Sequence, residues 1–124
     1  MMQQNKKYIL VIDDEETVRM AVGDVLEMFG IPVLTAENGL EGFQLFKNHH
    51  ENIGLIILDM QMPVMDGKET LRWLRFINPQ VPIILSSGYL GEGVDTRDLR
   101  VDGFLPKPYG INDMMSKING MFVS

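Results

Sequence analysis

The chain has 124 residues with 17 acidic and 11 basic side chains, a formal charge of −6, and so offers no phosphate-neutralising surface for direct nucleic-acid binding. Its 45% apolar and 23% charged content excludes a disordered chain and suits one folded domain, 1–124, with a core over about 7–122. The lack of cysteine removes disulfides, thiolate catalysis and Cys-ligated zinc; with no apolar run of membrane-spanning length and no signal-peptide core, the expectation is a cytoplasmic protein without membrane contact.

Residues 8–12 (YILVI) form a short apolar run of the kind buried on both faces in a parallel sheet, and it ends in Asp13, Asp14, Glu15 and Glu16. Asp14 is the expected cap of a helix in which Val18, Ala21, Val22, Val25, Leu26 and Phe29 recur at helical spacing, stopped by Gly30 and Pro32. Capping explains one or two of these acids. It does not explain two adjacent aspartates at the end of a strand. Residues 32–36 (PVLTA) open with proline and are less apolar, which suits an edge strand. Asn38 and Glu41 have capping-box spacing ahead of Leu40, Phe43, Leu45 and Phe46; His49 and His50 close that helix as solvated ends.

Residues 53–58 run straight into Asp59, a carboxylate at the carboxyl end of a buried strand, where open α/β sheets bind their ligands. A loop containing Pro63 follows. Asp66 and Glu69 then cap a helix with Leu71, Leu74 and Ile77 on its inner face, and Asn78-Pro79 stops it. Trp73 and Phe76 read as packing or partly exposed surface. Residues 81–86 (VPIILS) are a fourth strand that delivers Ser86 and Ser87 to the same carboxyl edge, with Gly88 permitting a close backbone approach.

Beyond Gly88 only residues 95–101 carry helical signals, and further glycines at 91 and 93 make this the expected least stable stretch. Residues 103–106 (GFLP) are a short fifth strand, placed at an edge because Pro106 lacks a ladder donor. Ile111, Met114, Met115, Ile118, Met121 and Phe122 form a last amphipathic helix. Five strands alternating with five helices imply an α/β fold: a doubly wound parallel sheet with helices on both faces and right-handed crossovers.

In such a sheet the strand ends bring Asp13, Asp14, Asp59, Ser87 and Lys107 together. Carboxylates crowded there repel one another by roughly 3 kcal/mol per close pair at an effective dielectric near 20, so the cluster needs a cation. An all-oxygen set with few carboxylates suits Mg²⁺, which keeps several waters and shares a phosphate oxygen. Lysine is a compact charge matched to a phosphoryl group, and a serine hydroxyl can donate to a second phosphoryl oxygen. Carboxylate nucleophile, cation and lysine are the parts of phosphoryl transfer onto an aspartate.

With IDDEE after the first strand, then ILDMQMPVMDG, IILSSGY and FLPKPY in order, the chain resembles the receiver domain of two-component response regulators over about residues 7–118. The resemblance implies the flavodoxin-like strand order 2-1-3-4-5. It implies that Asp59 accepts a phosphoryl group from a sensor histidine kinase or phosphotransfer protein. Mg²⁺ would be bound by Asp14, by Asp13 mostly through water, by Asp59 and by the Gln61 backbone carbonyl. Ser87 and Lys107 would contact the phosphoryl group, with backbone contacts at Met60 and Gly88. Ser87 and the aromatic Phe104 would form the switch, Gln61 and Tyr89 would influence phosphoryl loss, and Lys107-Pro108 would be cis. The change would pass by protein–protein contact to a downstream output domain or protein, and a phosphorylation-dependent homodimer is among the partnerships implied. Such a chain is a signalling module whose only catalysis is its own phosphorylation and autodephosphorylation. Serine at 87 in place of the commoner threonine, Gly110 at a helix cap and a short glycine-rich stretch before the fifth strand are departures from the family pattern.

Three other readings fit the topology. A flavin-binding relative would need a phosphate loop after the first strand, where DDEE repels phosphate. An aspartyl-phosphate phosphatase commonly carries a second acid two residues beyond the nucleophile, where this chain has Gln61. A degenerate receiver acting only as an interaction module is opposed by the complete acid, serine and lysine set.

Overall fold

A computed structural model of the chain describes residues 7–62, 65–88 and 100–122. The elements run β1 (Tyr8–Ile12), α1 (Glu16–Met28), β2 (Val33–Ala36), α2 (Gly39–His49), a 3-10 turn (His50–Asn52), β3 (Ile53–Asp59), α3 (Gly67–Ile77), β4 (Ile83–Ser87), β5 (Gly103–Pro106) and α4 (Ile111–Asn119). Every strand pair is parallel, in the order β2-β1-β3-β4-β5. The doubly wound α/β expectation and its strand order hold, with the two proline-marked strands at the edges.

Both faces of the sheet are covered, which is why its central strands read as continuous apolar runs. Ile9, Val11, Leu55, Ile57 and Ile84 pack on one side with Val22 and Leu26 of α1 and Met114, Met115 and Ile118 of α4. Leu10, Ile12, Ile56, Leu58, Ile83 and Leu85 pack on the other with Phe46 of α2 and Leu71 and Leu74 of α3. Each such side chain contributes about 1.5–3 kcal/mol by leaving water, so the strand ends stand on the best-buried part of the molecule.

Two of the expected caps are present: Asn38 Oδ1 accepts from the Glu41 N–H at 2.8 Å, and Asp66 Oδ1 from the Glu69 N–H at 2.9 Å. Gly110 begins α4 with no side-chain cap. Lys107-Pro108 is cis.

Several details differ from the sequence expectations. Asp14 does not cap α1; the helix starts one residue later behind Glu15, which makes no side-chain capping bond. The carboxylate that turns back here is Asp13, whose Oδ1 accepts from the Glu15 N–H at 2.9 Å. Ala21, Phe29, Leu40 and Ile111, expected on inner faces, are exposed. Phe29 stands past the end of α1 as its C-cap, and Leu40 and Ile111 lie in the first turns of α2 and α4, where spacing alone does not separate buried from exposed. The fourth strand begins at Ile83, not at residue 81, and includes Ser87. The described residues hold four α-helices. The helix expected over 95–101 falls mostly outside the described residues, as does Tyr89.

Candidate functional site

Four strand ends converge at the carboxyl edge. Asp13 follows β1, Asp59 ends β3, Ser87 ends β4 and Lys107 follows β5. Asp13 and Asp59 are each only 3% exposed, while Asp14 is open to solvent. One carboxylate oxygen from each of Asp13, Asp14 and Asp59 lies within 4.8 Å of the other two. Three acids this close make a strongly negative pocket, and the sheet holds two of them out of water.

Lys107 partly neutralises the cluster. Its Nζ lies 2.9 Å from Asp13 Oδ2, 3.4 Å from Glu15 Oε1 and 3.6 Å from Asp59 Oδ2. Burial draws the ammonium pKa down, but the contacts with Asp13, then Asp59 and Glu15, outweigh it and hold the group above its ordinary value. The lysine therefore stays charged. Arg19 reaches back from α1, its Nη1 donating to the Asp13 carbonyl at 2.8 Å, and so fixes the acidic loop to the helix that follows it.

Asp59 responds differently. Burial pushes its carboxyl up to about 6, the Gln61 N–H opposes that rise, Asp13 adds to it and Lys107 opposes it. The backbone amide that reaches Asp59 is that of Gln61, donating to Oδ1 at 3.1 Å. The Met60 N–H is donated instead to the Ser86 carbonyl at 2.9 Å. Ser87 is buried, and its carbonyl accepts from the Lys107 N–H at 3.0 Å, tying β4 to the lysine. Gly88 stands exposed in the turn just past β4, with no atom of the described residues within 4 Å of where a Cβ would project. Phe104 pairs with Leu85 and packs, half-buried, on the α2/α3 side of the sheet.

The loop after Asp59 is held by a glycine that sequence reading passed over. A Cβ on Gly67 would sit 2.6 Å from Met60 Cα, 2.8 Å from the Asp59 carbonyl oxygen and 2.9 Å from that of Met60, while the Gly67 N–H donates to Met60 O at 3.0 Å. Only glycine lets the start of α3 press against the backbone that carries Asp59.

Arg75 of α3 was also missed. Its guanidinium donates to the carbonyls of Arg100 and Val81, both at 2.7 Å, and pairs with Asp102 at 3.2 Å. Asp102 Oδ2 in turn accepts from the Ile83 N–H at 2.9 Å. The only sequence signal was one arginine on a helix face. Its partners lie 6 to 27 residues away, and that separation hides them.

Beside the acids a groove of about 440 Å³ runs between α1 and the residues after β5, lined by Glu15, Val18, Val22, Lys107 and Tyr109 among others. Among the described residues no helix is long and apolar enough to cross a membrane.

The carboxyl edge of a five-stranded parallel sheet thus carries an acid cluster and a paired lysine. The description "Response regulator receiver domain" matches residues 9–119, and the chain belongs to that family. It is the receiver domain of two-component systems. The chain is 37% identical over 105 residues to the autoinducer 1 sensor kinase/phosphatase LuxN of Vibrio campbellii, a match that covers 84% of this chain and 12% of LuxN. A response regulator receiver domain structure from Clostridium thermocellum superposes with a TM-score of 0.85 at 32% identity, covering 93% of each chain. The response regulator TrrA of Thermotoga maritima, solved in complex with Mg(2+)-BeF, superposes with a TM-score of 0.84 at 30% identity, covering 94% of this chain and 99% of TrrA. The chain spans between 12% and 50% of the length of the first curated relatives it matches.

Proposed function

We propose that the chain is a phosphorylatable switch in which Asp59 takes a phosphoryl group from a sensor histidine kinase or phosphotransfer protein in an Mg²⁺-dependent reaction. One observation carries this reading: the three aspartate oxygens gathered within 4.8 Å, with Lys107 against two of those acids. The donor set is all-oxygen and part-open to solvent, which fits a hard cation that keeps waters. Asp14, Asp59, the Gln61 carbonyl and, mostly through water, Asp13 would hold it. When bound, Mg²⁺ supplies the positive charge that lets the acidic pocket accept still more negative charge. TrrA, a similar chain, was solved in complex with Mg(2+)-BeF, which supports an Mg²⁺ site in this chain.

An Asp59 carboxylate oxygen attacks the phosphorus, the P–N bond to the donor histidine breaks, and the imidazole leaves with that electron pair. Lys107 pairs with one phosphoryl oxygen and Ser87 donates to another. The Gly88 amide, and the Met60 amide once it leaves the Ser86 carbonyl, complete the backbone contacts. Ser87 moving toward the phosphoryl group and Phe104 turning inward pass the change to a downstream domain or protein, and a phosphorylation-dependent homodimer is one form that output takes. The chain then catalyses only its own phosphorylation and dephosphorylation.

Intact-mass measurement after incubation with a small acyl phosphate, with and without Mg²⁺, tests this. A single phosphoryl adduct should form with Mg²⁺ and vanish in Asp59→Asn. An undiminished adduct in that variant, or in metal-free protein, would overturn the assignment.

A further inference from the structure

Two buried hydroxyls lie beside the acid cluster with no hydrogen-bond partner among the described residues: Ser86 Oγ and Tyr109 OH. A buried hydroxyl can both donate and accept, and leaving it unpaired is costly enough that native proteins seldom do so without a reason. The register places Ser86 directly next to Asp59 on one side and Leu105 on the other. Alternation along β4 puts Ser86 on the sheet face of Ile84, which packs toward α1 and α4, and Ser87 on the opposite face with Ile83 and Leu85. The two serines therefore serve different sides of the sheet.

Tyr109 comes to Ser86 from the chain just past Lys107, with its ring packed in the α1/α4 layer. Its phenol is raised above the ordinary value by burial first and Asp13 next, while Lys107 and the Ser86 hydroxyl oppose the rise and Asp59 adds to it. The phenol thus lies within electrostatic reach of Asp13, Lys107 and Asp59. Apolar residues would fill both positions with no polar cost, so two hydroxyls meeting at one buried point call for a shared role.

We propose that Ser86 and Tyr109 form one hydroxyl pair that positions Lys107 against Asp59. The pair fastens the residue two beyond the lysine to the strand residue beside the phosphoacceptor. It sets where the ammonium stands when the phosphoryl group arrives. Ser86 and Tyr109 are positioning residues that act through Lys107, and the assignment rests on the phosphorylation reading above.

The test is the rate of phosphorylation by a small acyl phosphate in saturating Mg²⁺, for wild type, Ser86→Ala, Tyr109→Phe and the double variant. Each single variant should lower the maximal rate roughly 3- to 30-fold, inside the range of coupling seen within one hydrogen-bonded network, with the half-saturating donor concentration unchanged. The double variant should be no slower than the slower single one. In a Lys107→Ala background neither substitution should have a further effect, whereas a merely structural role would still move the rate. Multiplying single effects, or effects that persist without Lys107, would overturn the pair. A wild-type chain that takes no phosphoryl group would instead overturn the function on which the pair rests.

Discussion

Lys107 Nζ lies 2.9 Å from Asp13 Oδ2 but 3.6 Å from Asp59 Oδ2, so the acid after β1, not the one that ends β3, is the lysine's principal partner. A phosphoryl group on Asp59 would place new oxygens and more charge within the same reach. The ammonium then has a reason to turn from Asp13 toward them. Lys107→Ala should cost about 1–3 kcal/mol of stability, because buried carboxylates lose their charged donor, yet leave the fold intact. It should also weaken the spectral change that phosphorylation induces at Phe104 in an amide NMR spectrum. A wild-type shift pattern in phosphorylated Lys107→Ala would show that the lysine does not couple the two.

The raised Asp59 carboxyl predicts a pH dependence of defined sign. Its ordinary value is 3.8 and its folded value about 6. Between those values the folded chain keeps a proton that the unfolded chain has released. Stability from this group is therefore greatest at the acid end and falls as pH rises through that window, by at most about 3 kcal/mol. Asp59→Asn should remove that slope and raise the urea midpoint near neutrality in metal-free protein. Mg²⁺ should stabilise wild type more at neutral than at acid pH, since its ligands must be ionised. Equal slopes in wild type and Asp59→Asn would remove the carboxyl from this account.

Gly67→Ala tests the close approach behind Asp59. Alanine is the better helix former by about 1 kcal/mol, but here its methyl would press on the backbone of Met60 and Asp59. Overpacking of this kind costs about 1–3 kcal/mol. The variant should unfold at lower urea and phosphorylate more slowly, since relief of the clash moves the loop that carries Gln61. A higher urea midpoint would mean that the backbone yields without cost.

Arg75→Ala should destabilise by about 2 kcal/mol, because it strips donors from two carbonyls and a charged partner from Asp102. Asp102→Asn keeps an acceptor for the Ile83 N–H and should cost less. Urea unfolding of both singles and the double measures the coupling, and independent effects would deny that the three groups act as one clamp.

Much of this molecule is written locally. Strands buried on both faces leave continuous apolar runs, so β1 and β3 are readable residue by residue from YILVI and IGLIILD. Capping at Asn38 and Asp66 is equally legible, because the donor lies three residues from the acceptor. Once the alternation implies a parallel sheet, the carboxyl ends of its strands must share an edge, and Asp13, Asp59, Ser87 and Lys107 follow from chain order alone.

What the sequence could not decide depends on contacts between distant segments. Asp14 looks by position like both a cap and a member of the acid cluster, and the assembled structure removes the first role and keeps the second. Local pattern marks Ser86 and Ser87 as neighbours; pleating against β3 and β5 sends them to opposite faces. Glu15 as a partner of Lys107, Arg75 as a clamp on Asp102 and Gly67 against Met60 all arise from packing between elements. A one-dimensional pattern records which residues are apolar and how they repeat. It does not record the sub-ångström differences in distance with which helices, strands and loops finally settle, and those differences determine which acid holds the lysine.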